Sequence, residues 1–322
     1  MSARVLTCAV ALALTSVALP AEAQNRFALI VSGVAGGEKY AENQKKWTTS
    51  LESTLSQRLG FAADHITILS ESDVAATNAT RENVVRALAS LKPRVGASDT
   101  LLVVLIGHGT SDAASAKFNL VGPDMDANEW KQALDGLAGR LVFVNTTSSS
   151  FPFVQALAGK NRVVIAATDS TSQRYDTVFP EYFIQALDQG AKADGDKNGR
   201  LSVWEVFAYA SQAVKQSYEL KGTLVTERSV IDDNGDGVGK EASAAAGGDG
   251  VLAKATFLDA ETAAASTNPA VAALENQRIA LEVQIEELKA KKDQMPAGQY
   301  EEDFEKLAIE LSRVSAQIRS AK

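Results

Sequence analysis

His108, one of only two histidines in the 322 residues, stands between Gly107 and Gly109 at the end of the apolar run Leu101–Ile106. An imidazole on a glycine-flanked turn after a buried strand is placed for acid–base work, since ligands in open α/β sheets bind at the carboxyl ends of strands. Further along, Thr146-Thr147-Ser148-Ser149-Ser150 puts five hydroxyl residues in a row directly after the apolar segment Arg140–Asn145. One of them could be deprotonated by His108, with amides at a following helix start stabilising an oxyanion. The same run would equally well supply helix caps after a strand. A third stretch, Asp194 to Glu205, has oxygen ligands at alternate positions: Asp194, Asp196 and Asn198 at 1, 3 and 5, and the Arg200 carbonyl at 7. Gly199 at 6 allows a sharp turn, Leu201 at 8 is apolar, Ser202 stands at 9, and Glu205 at 12 can bind through both oxygens. That spacing suits a hard cation taking six or seven oxygens, Ca2+ above all.

Positioning these groups requires a sheet. Arg26–Gly33, His65–Leu69, Leu101–Ile106, Arg140–Asn145 and Arg162–Ala167 read as strands. Helical spacing runs between them: Trp47, Leu51, Leu55 and Leu59 lie on one face, a helix start falls at Asn78–Asn83, and Asp126–Leu137 reads as a further helix. Alternation of this kind predicts an α/β fold with a mostly parallel sheet and helices on both faces. A helix over Val203–Tyr218 follows the acidic loop, whereas Gly190 interrupts the helix that should precede it, which favours a structural calcium site over an opening sensor. A second acidic stretch places Asp232, Asn234 and Asp236 at positions 1, 3 and 5, but Lys240 and Ser243 stand at 9 and 12. It reads either as a partial calcium site or as a plain acidic turn.

The formal charge of −8 argues against nucleic acid and anionic membranes as partners. At the N-terminus, Arg4, the apolar run Val5–Leu19 and Ala21-Glu22-Ala23 form a secretory signal over residues 1–23, cleaved after Ala23. No other run has the length of a membrane span, so a periplasmic or secreted bacterial protein is expected. The one cysteine, Cys8, lies inside the signal, so the mature chain has no disulfide, thiolate metal site or cysteine nucleophile.

A strand ending in Gly107-His108-Gly109, followed one βα unit later by a strand ending in small polar residues, resembles the caspase-like cysteine peptidases, the legumain-like branch in particular. The resemblance covers residues 24–240 and implies a caspase-like α/β domain carrying the loop 194–205. It matches His108 to the family histidine and puts the family's nucleophilic cysteine at Thr147 or within a residue or two of it, which includes Ser148 and Ser149. A hydroxyl lacks the low pKa and polarisability of a thiolate. The resemblance therefore implies a pseudopeptidase that binds a peptide or protein partner, with a hydrolase using a Ser or Thr nucleophile as the alternative. It further places Phe118–Leu120 and Gly122–Asp124 on the cleft rim and Asp169, Arg174 and Asp176 where substrates are selected, with Asp112 or Asp124 as an acid orienting His108.

Residues 241–268 are rich in Ala, Gly, Ser and Thr and read as a linker. Beyond it, over 269–322, Val271, Leu274, Arg278, Leu281, Ile285, Leu288, Lys292 and Met295 are spaced by three and four. Tyr300, Phe304, Leu307, Leu311, Val314 and Ile318 repeat the pattern after Pro296-Ala297-Gly298. This predicts a C-terminal α-helical hairpin of coiled-coil type, able to pack on its own chain, to form a homo-oligomer, or to engage another protein.

Overall fold

The computed structural model describes residues 24–112, 115–197, 199–244, 249–259, 269–290, 292 and 295–321. Residues 1–23 and Asn198 lie outside the described residues, as do 245–248 and 260–268 of the stretch read as a linker; 249–259 are no loose linker but carry a short helix and bury Ala253 and Leu258 in the core.

Six strands form the main sheet: β1 (Arg26–Ser32), β2 (Ile66–Leu69), β3 (Thr100–Ile106), β7 (Arg140–Asn145), β8 (Arg162–Ala166) and β9 (Val230–Asp232). Three short strands between β3 and β7, namely β4 (Gly109–Ser111), β5 (Ala116–Phe118) and β6 (Met125–Asp126), form a separate antiparallel sheet. The main order is β2-β1-β3-β7-β8-β9, parallel throughout except for the edge strand β9, which runs antiparallel to β8. The α/β architecture is the expected one, mostly parallel and consistent with a caspase-like sheet. Strand β9 escaped the sequence reading because three residues are too few for a periodic signal.

Along β1, Ala28 and Ile30 face one side of the sheet while Phe27, Leu29 and Val31 face the other; in β3, Leu102, Val104 and Ile106 oppose Leu101, Val103 and Leu105 in the same way. Both sets are buried, which explains why these strands read as unbroken apolar runs. Helices α1 (Glu38–Ser53), α5 (Phe179–Asp188) and α7 (Val203–Leu220) cover the first face. On the second lie α2 (Arg81–Leu91), α3 (Ala127–Leu134) and α4 (Phe151–Leu157). Each fully buried Leu, Ile or Phe contributes about 1.5–3 kcal/mol.

Local signals set the helix ends. The Thr80 side chain accepts from Asn83 N–H at the start of α2, and Asp126 and Glu129 form a reciprocal capping box on α3. The third helix is shorter than expected, ending at Leu134 because Asp135 takes extended backbone and Gly136 adopts a φ of +82°.

The chain goes from β1 outward to β2, then returns past β1 to β3, β7 and β8. Strand order thus reverses between β1 and β3, and the crevice outside their carboxyl ends is the topological switch point where such sheets bind ligands. After α8 (Val251–Lys254), helices α9 (Pro269–Ala290) and α10 (Ala297–Ala321) pack against each other. Val271, Leu281, Val314 and Ile318 are buried in their seam, and the Gln277 amide donates to Glu310 across the pair.

Candidate functional site

The switch point brings four strand ends together. β1 leads into Gly33–Ala35, β3 into His108, β7 into the hydroxyl run, and β8 into the connection Ala167–Val178. Gly107 holds a φ of +144°, a conformation that side chains rarely take. At Gly109 a Cβ would fall against the Ser148 carbonyl and the Thr147 hydroxyl, so only glycine lets the two loops meet.

His108 Nε2 lies 3.0 Å from the Ala35 carbonyl, to which it donates, and Nδ1 lies 3.3 Å from Asp176 Oδ1. Tyr40, from the first turn of α1, stands edge-on to the imidazole with centroids 4.7 Å apart. Its hydroxyl donates to Asp176 Oδ2 at 2.7 Å. That bond to a carboxylate holds the phenol pKa above its ordinary value, since deprotonation would set two negative charges side by side.

The partner of His108 is therefore Asp176, and neither Asp112 nor Asp124 orients it. Asp112 sits at the β4–β5 turn, where it accepts from Ser115 N–H and pairs with Lys117. Asp124 accepts from Leu120 N–H and closes its own loop. The cleft rim is also narrower than expected. Phe118 and Leu120 turn into the core, leaving Asn119, whose N–H donates to the His108 carbonyl and whose own carbonyl accepts from Val34 N–H. Alternation along β5 sends Phe118 inward, a consequence of register that composition does not carry. Asp169 accepts from the Gln173 side chain and faces Arg228.

No hydroxyl of the strand-end run meets His108 through any of these bonds. Thr147, fully buried, donates to Asn145 Oδ1 at 2.7 Å. The Ser148 hydroxyl donates to the Gly109 carbonyl at 2.9 Å, and Ser149 lies 3.4 Å from the Thr171 carbonyl. Thr146 donates to the Leu105 carbonyl, and Ser150 and Thr168 exchange side-chain and backbone bonds. The run works as a stitch between β3, β7 and the β8–α5 connection, because a buried hydroxyl without a partner is costly.

Glu227 anchors the far end of that connection. Its carboxylate accepts from Val178 and Phe179 N–H at 2.9 and 2.8 Å, capping α5, and from the Tyr218 hydroxyl at 3.3 Å. Burial pushes its pKa up to about 7, partly offset by those bonds. Nothing in the sequence marks Glu227, which lies in a short loop far from the elements it joins.

The acidic loop lies beyond this cleft, between α6 (Gly190–Ala193) and α7. Carboxylate oxygens of Asp194, Asp196 and Glu205 lie within 4.8 Å of one another, an all-oxygen set with the chemistry a hard cation takes. Gly199, at a φ of +81°, donates its N–H to Asp194 Oδ2, and Glu205 accepts from Gly195 N–H while forming a capping box with Ser202 on α7. Arg200 and Ser202 follow in the loop, and Leu201–Ser202 pairs antiparallel with the segment around Phe257. Arg200 stacks on Phe257 and pairs with Asp259 at 3.4 Å. Position 5, Asn198, lies outside the described residues.

In the second acidic loop, both Asp232 oxygens accept backbone N–H groups, from Gly235 and Gly237. Asn234 and Asp236 bond each other and the backbone ahead of them, while Lys240 pairs with Ile231 as a β-bridge. Asp232 is buried, which raises its pKa. The back half of this loop closes on β9 and offers no oxygen set comparable to the first among the described residues.

No protein-family model matches the chain. Over 56 residues, 17% of this chain and 13% of that protein, it is 41% identical to metacaspase-4 of Arabidopsis thaliana. Its structure is similar to that of protein GSU0716 from Geobacter sulfurreducens, with a TM-score of 0.42 and 12% identity, covering 65% of this chain and 92% of that one. The metacaspase match points to a caspase-like relationship. No helix among the described residues is long and apolar enough to cross a membrane.

Proposed function

We propose that the chain is an exported caspase-like pseudopeptidase, stabilised by calcium, that binds a peptide or protein partner at the crevice above β1 and β3. The observation that carries this reading is the commitment of the hydroxyl run: Thr147, Ser148 and Ser149 bond to Asn145, Gly109 and Thr171, and both nitrogens of His108 bond elsewhere. A base that no hydroxyl of the run hydrogen-bonds lacks an activated nucleophile, which favours a crevice that binds over one that performs acyl transfer. Asp194, Asp196, Asn198, Ser202, Glu205 and the Arg200 carbonyl would hold the Ca2+. The ion would neutralise converging carboxylates and fix the loop against Phe257–Asp259. Asp232, Asn234 and Asp236 would add at most a partial site.

Fluorophosphonate labelling of the mature protein in calcium, with peptide-library cleavage alongside and His108→Ala as control, tests the central claim. Folded protein should be silent in both assays. Labelling or cleavage lost in the variant would establish the hydrolase instead, and mapping the labelled peptide would name the nucleophile. Binding of the same library to immobilised protein tests the positive half.

A further inference from the structure

We propose that Asp259 is a positioning residue for the cation loop, acting through the Leu201 amide on the Arg200 carbonyl, and that the segment carrying it is locked in return by the cation. The inference rests on the calcium reading above and adds to it a residue outside the spacing 194–205.

Position 7 of the loop offers a backbone oxygen, the Arg200 carbonyl, which has no side-chain torsion to aim it. Its direction is set by the plane of the Arg200–Leu201 peptide, in which C=O and N–H point opposite ways. The N–H of that peptide donates to Asp259 Oδ2 at 3.1 Å. A carboxylate gripping one end of the unit therefore turns the carbonyl at the other end away from Asp259 and holds it there. Asp259 Oδ1 meets the Arg200 guanidinium at 3.4 Å, and the same guanidinium lies 3.9 Å from the centroid of the Phe257 ring. Backbone bonds extend the clamp: Leu258 N–H donates to the Leu201 carbonyl at 3.2 Å, and Val203 N–H to the Thr256 carbonyl at 2.8 Å.

The clamp has a firm footing. Arg26, at the start of β1, donates to the Leu258 carbonyl, and Arg140, at the start of β7, donates to the Thr256 hydroxyl at 3.0 Å. Leu258 and Thr256 are both buried. Trp204, at position 11 of the loop, lies so close to Gly250 that a Cβ there would strike the indole, and Lys254 stands over the same ring. Positions 7 to 11 thus rest on one segment, 250–259, whose far side is fastened to the amino-terminal edge of the sheet, opposite the crevice. Groups that orient metal ligands in this way change metal affinity by roughly 10–100-fold. The linkage is reciprocal, so a segment that tightens cation binding is itself held more tightly once the cation is bound.

The test measures calcium binding by calorimetry and, at the loop itself, by Tb3+ luminescence excited through Trp204 with Ca2+ as competitor. Asp259→Ala should raise the calcium concentration at half-saturation about tenfold or more. Asp259→Asn keeps an oxygen for the Leu201 amide and loses the charge, so it should stay within about threefold of the parent. Hydrogen exchange of the parent gives a second readout that needs no change at Asp259. At short labelling times calcium should slow exchange across 250–259 and leave α2, on the other face of the sheet, at its own rate; Glu205→Gln should remove that protection. Half-saturation in folded Asp259→Ala equal to the parent's, Asp259→Asn as weak as Asp259→Ala, or exchange across 250–259 indifferent to calcium would each overturn the proposal. Binding by the parent would leave the calcium reading standing in all three cases. A parent that binds neither Ca2+ nor Tb3+ would remove both.

Discussion

The hydroxyl run after β7 and the acidic loop before α7 are both short polar stretches at the mouth of a helix, yet they differ in how their side chains are spent. Thr146 to Ser150 are all buried, and each hydroxyl finds an acceptor or donor inside the protein. In the acidic loop, Asp196 and Gly195 stand exposed, and three carboxylates point oxygens at one place. Buried polar groups satisfied by the backbone act as cement. Like charges that converge cost energy until a cation joins them. Polarity alone therefore does not mark a site; the convergence of carboxylate oxygens on one place does.

The sharpest way to break that contrast is calcium itself. Thermal unfolding of the protein should shift upward by several degrees at calcium near one hundred times its Kd, about 2.7 kcal/mol of linkage. Glu205→Gln should abolish the shift, and a calcium-independent melting temperature in the parent would end the cation reading.

The cleft side makes a different prediction through Glu227. Its pKa is raised to about 7 by burial, so the folded state binds a proton more tightly than the unfolded chain. The stability it contributes is complete below about pH 4.5 and is lost as pH rises through about 7, at up to about 1.4 kcal/mol per unit. Asp249, pushed up to about 6 by burial, adds a slope of the same sign. Denaturant unfolding between pH 5 and 8 should therefore show stability falling with pH from these groups, and Glu227→Gln should flatten the part above about pH 6. An unchanged profile in that variant would show that Glu227 does not titrate in this window.

A smaller effect is expected at Ser202, which accepts from Glu205 N–H and donates to Glu205 Oε2. Ser202→Ala should cost about 1 kcal/mol through lost capping, measurable in calcium-free buffer. The same cost in the presence and absence of calcium would show that the cap and the cation loop act independently.

The smallest expected effect is at Thr147. Thr147→Cys, made in protein expressed without residues 1–23 and so without Cys8, should leave a thiol that iodoacetamide does not modify while the protein is folded, because the position is closed to solvent. Rapid modification would mean that the run opens and that a nucleophile there can reach ligand.

Much of this was legible in the chain. Unbroken apolar runs announced β1, β3, β7 and β8, because strands covered on both faces need apolar residues at every position. The glycines around His108 and the acid spacing of 194–205 were equally plain, since both depend on local geometry that a few neighbouring residues determine. Less visible was everything that depends on which loops end side by side. Asp176 lies 68 positions from His108 by number, and the Ala35 carbonyl that fixes the ring carries no side-chain signal. Whether Thr147 is a nucleophile or a stitch is likewise a matter of burial and of which acceptor its hydroxyl finds.

Local residue types thus determined strands, turns and a candidate cation loop. The order of the strands, with its reversal between β1 and β3, decided which groups share the crevice and which are sealed beneath it. A hydrogen bond acts over about 3 Å, and only the folded chain brings residues so distant in sequence within that reach.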